Sequence, residues 1–199
     1  LHKKSGIDKR HSVITSYESD GISDGFFKRE HGRLVEPSTG ARNAIFKEAS
    51  IPLACRAVDQ LFEHGSVFSR SEVTHLITVS CTGFYNPGPD LDLIKGLGLS
   101  ESTERYNIGF MGCYAAFPAM RMAHQFCLAR REAVVLVVCL ELCSLHLQFR
   151  EEADSLVANS LFADGAAAML VSTREPADNR PALSIESFAS ALAPEGERE

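Results

Sequence analysis

Ala133-Val134-Val135-Leu136-Val137-Val138-Cys139 is an unbroken apolar run of strand length, rich in β-branched residues. A strand with one wet face alternates apolar and polar side chains. A run without alternation suits a strand covered on both faces, as in a parallel sheet flanked by helices. Just upstream, 115–131 places Ala116, Ala119, Met120, Ala123, Phe126 and Cys127 on one helical face, and its alanines predict a buried, closely packed helix. Pro118 is tolerable there because it falls in the first turns, where an amide proton has no partner anyway. Further upstream, 73–79 reads as a strand closed by Asn86-Pro87-Gly88-Pro89, 90–97 as a short helix and 105–109 as a brief strand.

From 40 to 64, Ile45, Ala49, Leu53, Ala54, Val58 and Leu61 recur at helical spacing. Ser38 or Thr39 caps this helix, Gly65 ends it, and Pro52 is expected to kink or split it. Downstream, 165–172 and 182–189 read as two further strands. Residues 1–38 are polar and mixed, with a basic cluster at His2, Lys3, Lys4, Lys9, Arg10 and His11. Strands alternating with helices predict an α/β layered architecture, a mixed sheet with helices on both faces.

Composition narrows the function classes. A chain of 199 residues with 45% hydrophobic content can bury a good core in one or two domains. A net charge of -6 and a pI near 5.7 argue against nucleic acid as a partner. No apolar run reaches the ~20 residues that cross a bilayer, so no membrane partner is expected. The six cysteines sit mostly in apolar contexts without a CxxC pair, which disfavours a disulfide scaffold or a metal site and fits a cytoplasmic location. No signal peptide is visible, and a start at Leu1 rather than Met suggests that an upstream segment has been trimmed.

The position that carries chemistry is Cys113, in Tyr106-Asn107-Ile108-Gly109-Phe110-Met111-Gly112-Cys113-Tyr114-Ala115-Ala116. A cysteine delivered at the mouth of a helix meets unpaired N–H groups and partial positive charge, which favour thiolate over thiol. Acyl transfer from a thioester, ester hydrolysis at a nucleophile elbow and thiol redox chemistry all use such a residue. The elbow prefers glycine two places to either side, which is absent, and Cys127 lies too far along the helix to resolve a disulfide easily. A buried cysteine in a tight turn is the plain structural alternative.

Four segments taken together resemble a known family. They are His75-Leu76-Ile77-Thr78-Val79-Ser80-Cys81-Thr82-Gly83 with Pro87-Gly88-Pro89-Asp90, Gly112-Cys113-Tyr114-Ala115-Ala116, 135–139 followed by Glu141, and Ser160-Leu161-Phe162-Ala163-Asp164-Gly165-Ala166-Ala167-Ala168. Their order and spacing are similar to those of the chalcone/stilbene synthases, the type III polyketide synthases of the thiolase superfamily. Lys4-Ser5-Gly6-Ile7-Asp8-Lys9-Arg10 resembles the family's entry segment. The resemblance implies a thiolase-like layered α/β fold, with residues 1–199 forming the N-terminal domain of such an enzyme, truncated at both ends. It also implies an acyltransferase that takes a starter acyl group from acyl-coenzyme A and extends it with malonyl-coenzyme A by decarboxylative condensation. The coenzyme A thioesters are substrates, and no permanently bound cofactor is implied.

By the same resemblance Cys113 is the nucleophile, and Phe162 is an aromatic gate between the coenzyme A tunnel and the reaction cavity. Cys81, Thr82, Cys143 and His146 line that cavity. Cys81 and His146 replace threonines typical of plant members, so a plant starter preference does not carry over. His146 matches a pocket wall rather than the catalytic base. Asn86 marks where a homodimer partner reaches across, and Lys4 matches a contact to coenzyme A phosphates. Asp164 and Gly165 set the turn after Phe162, and Ala163 stands where glycine is common. The histidine and asparagine that drive decarboxylation in the family have no matching motif here, so this chain alone is expected to form little or no polyketide. A ketoacyl synthase of the fatty-acid initiation type shares the Leu-Phe-x-Asp-Gly-Ala segment and is the nearest alternative. A non-catalytic dimerisation module is the alternative from another class.

Overall fold

A computed structural model of the chain describes residues 5–14, 26–64, 66–175 and 182–192. Among these, a short antiparallel hairpin, β1 (Lys28–Glu30) and β2 (Arg33–Val35), precedes the long helix α1 (Thr39–Glu63). There follow β3 (His75–Ser80), α2 (Pro89–Leu97), β4 (Glu104–Gly109), α3 (Ala116–Ala129), β5 (Val134–Leu142), α4 (Ala153–Leu161) and β6 (Asp164–Ser172). The last four strands form one sheet in the order β4-β3-β5-β6. In it β3 runs parallel to both neighbours and β6 antiparallel to β5.

Topology explains why β5 lacks alternation. The crossover from β3 through α2 steps to one side of the sheet, and the crossover from β4 through α3 steps back past β3 to the other. Parallel crossovers share one hand, so opposite steps put the two helices on opposite faces. On one face, Ala54 and Val58 of α1 and Leu93, Ile94 and Leu97 of α2 pack on Leu76, Val134, Leu136 and Val138. On the other, Ala119, Ala123 and Cys127 of α3 pack on Ile77, Val79, Val135 and Val137. Ala115, Ala119, Ala123 and Cys127 recur every fourth residue, all buried, and their small side chains bring α3 close to the sheet. A third cluster, with Phe26, Phe27, Phe46, Leu140, Leu142 and Leu145, supports the carboxyl ends of the strands from the α1 side.

α1 begins as expected: Ser38 is its N-cap, and its hydroxyl accepts from Ala41 N at 3.2 Å. Pro52 does not split the helix. Phe46, Ala54 and Val58, on either side of the proline, are fully buried. Burying each larger apolar side chain contributes roughly 1.5–3 kcal/mol, enough together to offset the ~3 kcal/mol cost of an internal proline. The cap at the other end is His64, and Gly65 lies outside the described residues.

The expected strand at 182–189 does not form. Residues 182–192 carry no ladder, and Leu183 is 100% exposed. A strand exists only through a neighbour's hydrogen bonds, and among the described residues nothing pairs with this segment. Its anchor is Phe188, whose ring meets His124 at 5.5 Å and lies 5.3 Å from the Arg121 guanidinium on α3. Two elements were not anticipated, the β1–β2 hairpin and α4. The hairpin turns on His31 and Gly32, both with positive φ (50° and 81°), the two-residue loop whose twist matches antiparallel strands.

Candidate active site

Because β3, β4 and β5 are parallel, their carboxyl ends lie together, and antiparallel β6 starts at that same end. Adjacent β3 and β4 send their helices to opposite faces, an arrangement that leaves a crevice beyond the carboxyl ends. A cavity of about 600 Å³ lies there. Its walls include Cys113, Cys81, Thr82, Cys143, His146 and Phe162, so the fold unites six residues singled out from sequence. Asn86 is not among the lining residues; it is exposed in the loop ahead of α2. Lys4 lies outside the described residues.

Cys113 is exposed. The chain leaves β4 through a sharp turn in which Phe110 (φ 57°) and Gly112 (φ 73°) both adopt the left-handed region. For phenylalanine this conformation costs roughly 1–2 kcal/mol, and such backbone strain clusters at functional sites. The Phe110 ring lies 5.5 Å from that of Phe84. Gly112–Tyr114 form a single tight helical turn that runs into α3, with Ala115 N donating to Gly112 O and Ala119 N to Ala115 O. Cys113 therefore sits one turn ahead of α3 rather than on its first residue.

Glu141 organises the floor. It ends the apolar face of β5, and its carboxylate accepts from Cys81 N at 3.0 Å, Thr82 N at 3.1 Å, Thr82 Oγ1 at 2.7 Å and Ser80 Oγ at 3.4 Å. Thr82 Oγ1 in turn accepts from Leu142 N at 2.8 Å, which ties the ends of β3 and β5 together. The sequence assigns Glu141 no role beyond membership of a motif. Its only signal is a carboxylate at the end of an otherwise apolar strand.

The cavity thiols are not equivalent. Burial raises the Cys81 thiol pKa, with the Glu141 charge adding to it. Cys143 is pushed up to about 11, first by burial and then by the charges of Glu141 and Asp164. Both are therefore held as neutral thiols. His146 Nε2 donates to Thr82 O at 2.6 Å. A carbonyl oxygen only accepts, so Nε2 carries the proton and cannot take another, which agrees with a place in the wall.

Asp164 fastens the rim. Its carboxylate accepts from Val13 N (2.7 Å), Ser144 N (2.7 Å) and Ser144 Oγ (2.6 Å), and its own N–H donates to His11 O at 2.9 Å. This seats 10–12 against the cavity, where Arg10 Nη1 donates to Asn159 O and Asn159 Nδ2 to Gln148 O at 2.7 Å. Phe162 caps the C-terminus of α4 and is 54% exposed at the cavity edge. Among the described residues no group of three or more His, Cys, Asp or Glu is arranged to hold a metal ion, and no helix is long and apolar enough to cross a membrane.

The family model for the N-terminal domain of chalcone and stilbene synthases matches residues 1–176. The alpha-pyrone synthesis polyketide synthase-like Pks18 of Mycobacterium tuberculosis (strain CDC 1551 / Oshkosh) is 36% identical over 171 residues, which cover 86% of this chain and 41% of that protein. Probable polyketide synthase 1 of Dictyostelium discoideum is 34% identical over 186 residues, 93% of this chain and 6% of that protein. Among solved structures, CsyB complexed with CoA-SH has a TM-score of 0.69 at 31% identity, over 90% of this chain and 48% of that one. The C-terminal type III polyketide synthase domain of Steely1, a type I/III hybrid from Dictyostelium, has a TM-score of 0.62 at 34% identity, over 67% and 37%. The chain thus spans less than half the length of these relatives.

Proposed function

The chain belongs to the chalcone and stilbene synthase family of type III polyketide synthases and has their thiolase-like α/β fold, and from that premise we propose that Cys113 accepts an acyl group from a coenzyme A thioester. One observation carries this reading: the exposed Cys113 shares a single cavity with Cys81, Thr82, Cys143, His146 and Phe162, at the carboxyl ends of the parallel strands. The Cys113 thiolate attacks the thioester carbonyl, a new S–C bond forms, and the coenzyme A thiolate leaves. Both thiolates are of similar basicity, so the exchange is near balance and the leaving group departs readily.

Extension follows when malonyl-coenzyme A loses carbon dioxide and its enolate attacks the acyl group on Cys113. Phe162 offers a flat apolar face at the cavity edge that orients the malonyl unit and excludes water. Lys4 contacts coenzyme A phosphates, and the loop with Asn86 meets the partner of a homodimer. Stabilising the enolate oxygen needs aimed hydrogen-bond donors, usually the largest catalytic contribution. His146 is not that donor, because its Nε2–H is spent on Thr82 O. No other histidine of these 199 residues sits in a context resembling the family's decarboxylation motif. Residues 1–199 therefore supply acylation, and polyketide formation requires groups beyond them.

Intact-mass analysis after incubation with acyl-coenzyme A tests this. One acyl adduct is expected, mapped to Cys113 and absent from Cys113→Ala. Acylation that persists in Cys113→Ala, or none in the native protein, overturns the assignment.

A further inference from the structure

We propose that Glu141 is a positioning residue that confines acylation to Cys113 by keeping the cavity's two other thiols, Cys81 and Cys143, out of the reaction. The proposal rests on the reading of Cys113 as the acyl acceptor. Three thiols share one cavity of about 600 Å³. Any of them, once ionised, could attack the thioester or draw the acyl group off Cys113 by a second exchange. An acyl group that wandered to Cys81 or Cys143 would be held at a different point of the cavity, away from the exposed turn that presents Cys113.

The geometry shows how this is prevented. Glu141 is tethered by the N–H groups of Cys81 and Thr82 and by the hydroxyls of Ser80 and Thr82. All of these donors are neutral. Among the described residues no lysine, arginine or histidine forms an ion pair with Glu141. Its negative charge is thus fixed in place and uncompensated. Cys81 is bonded to it through its own amide, and Cys143 follows two residues along the chain from it. A thiolate forming beside a fixed carboxylate is penalised on top of the penalty from burial. The shifts at Cys81 and Cys143 agree, with burial the larger cause and Glu141 the second. Cys113 stands on the exposed turn after β4.

The test compares native protein with Glu141→Gln and Glu141→Asp. Each is treated with acetyl-coenzyme A and, separately, with iodoacetamide, and modified cysteines are mapped by peptide mass analysis across a pH series. Native protein is expected to label at Cys113 alone near neutral pH. In Glu141→Gln, labelling of Cys81 and Cys143 is expected to rise about tenfold and its pH profile to move down, the effect of removing roughly one pKa unit of charge repulsion. Glu141→Asp disturbs the same hydrogen bonds but keeps the charge, so Cys81 and Cys143 should stay silent. If they label in Glu141→Asp as in Glu141→Gln, the effect is packing and the proposal falls. It also falls if Glu141→Gln labels only Cys113. Should Glu141→Gln fail to fold, silence of Cys81 and Cys143 in Glu141→Asp still supports the proposal, and their labelling there still overturns it. Absence of any Cys113 adduct in native protein would instead sink the reading of the site itself.

Discussion

Replacing Gly83 by alanine tests how the cavity floor is held. A methyl group built at Gly83 would stand 2.1, 2.3 and 2.5 Å from Phe46 Cγ, Cδ2 and Cδ1, where ordinary contact begins at 3.4 Å. Something must retreat by about 1 Å, a distance that side chains at native density do not yield freely. Phe46 is fully buried, meets Tyr85 edge-on at 6.4 Å and belongs to the cluster that includes Leu142 and Leu145. The ring has nowhere to go, so the loop moves. The loop then draws Cys81 N and Thr82 N away from Glu141, where they now donate at 3.0 and 3.1 Å. Overpacking alone costs about 1–3 kcal/mol, and each weakened bond to a carboxylate adds to it, so a loss of about 3 kcal/mol is expected. For a chain of this size that lowers the thermal midpoint by about 6–12 °C. Phe46→Leu, which costs about 1 kcal/mol by itself, should make room for the methyl. The double variant is then expected to be more stable than Gly83→Ala, with a coupling of at least about 1 kcal/mol. A Gly83→Ala midpoint within about 2 °C of native, or simple additivity with Phe46→Leu, would refute the contact as the reason for glycine.

Two further expectations concern the supports around the cavity and the far end of the sheet. His75 is buried, stacks on Phe126 at 4.7 Å, and has its pKa lowered chiefly by burial, against partial opposition from Glu104. The unfolded chain then binds that proton more readily, so the neutral-histidine contribution is complete above about pH 6.5 and declines as pH falls toward the folded-state pKa. Urea midpoints should drop from about pH 7.5 to about pH 5, and His75→Gln should flatten part of that slope; an unchanged slope in the variant counts against it. Asp164→Ala removes three hydrogen bonds to a carboxylate, from Val13 N, Ser144 N and Ser144 Oγ, and should cost at least about 3 kcal/mol. It should also speed tryptic cleavage after Arg10, and an unaltered cleavage rate would show that this carboxylate does not hold the 10–14 segment down.

Legibility in the sequence followed burial. β5 and α3 could be read because each is covered in a way that leaves a periodic signature: no alternation in one, an alanine at every fourth place in the other. α1 was legible for the same reason and survived a proline that local rules count against it. The segment 182–189 misled because apolar content is a property of the strand itself, whereas a ladder needs a neighbour. The β1–β2 hairpin did carry a signal, the glycine of His31-Gly32, hidden in a stretch without clear alternation.

The site divides along a different line. Cys113 was visible because glycine before it and alanines after it mark a turn into a helix. Glu141 was not, because its partners are mostly backbone N–H groups, which every residue but proline possesses and no sequence pattern announces. What grouped the cavity residues was position relative to strand ends. Cys81 immediately follows β3, Cys143 immediately follows β5, Cys113 lies one turn beyond β4, and Phe162 stands just before β6. In a sheet whose crossovers take opposite faces, the residues that leave parallel strands meet at one crevice whatever their separation in the chain. Three cysteines scattered along the sequence therefore become one cluster for a topological reason. That convergence is also why a fixed carboxylate is needed among them: the same strand ends that present Cys113 bring two competing thiols into its cavity.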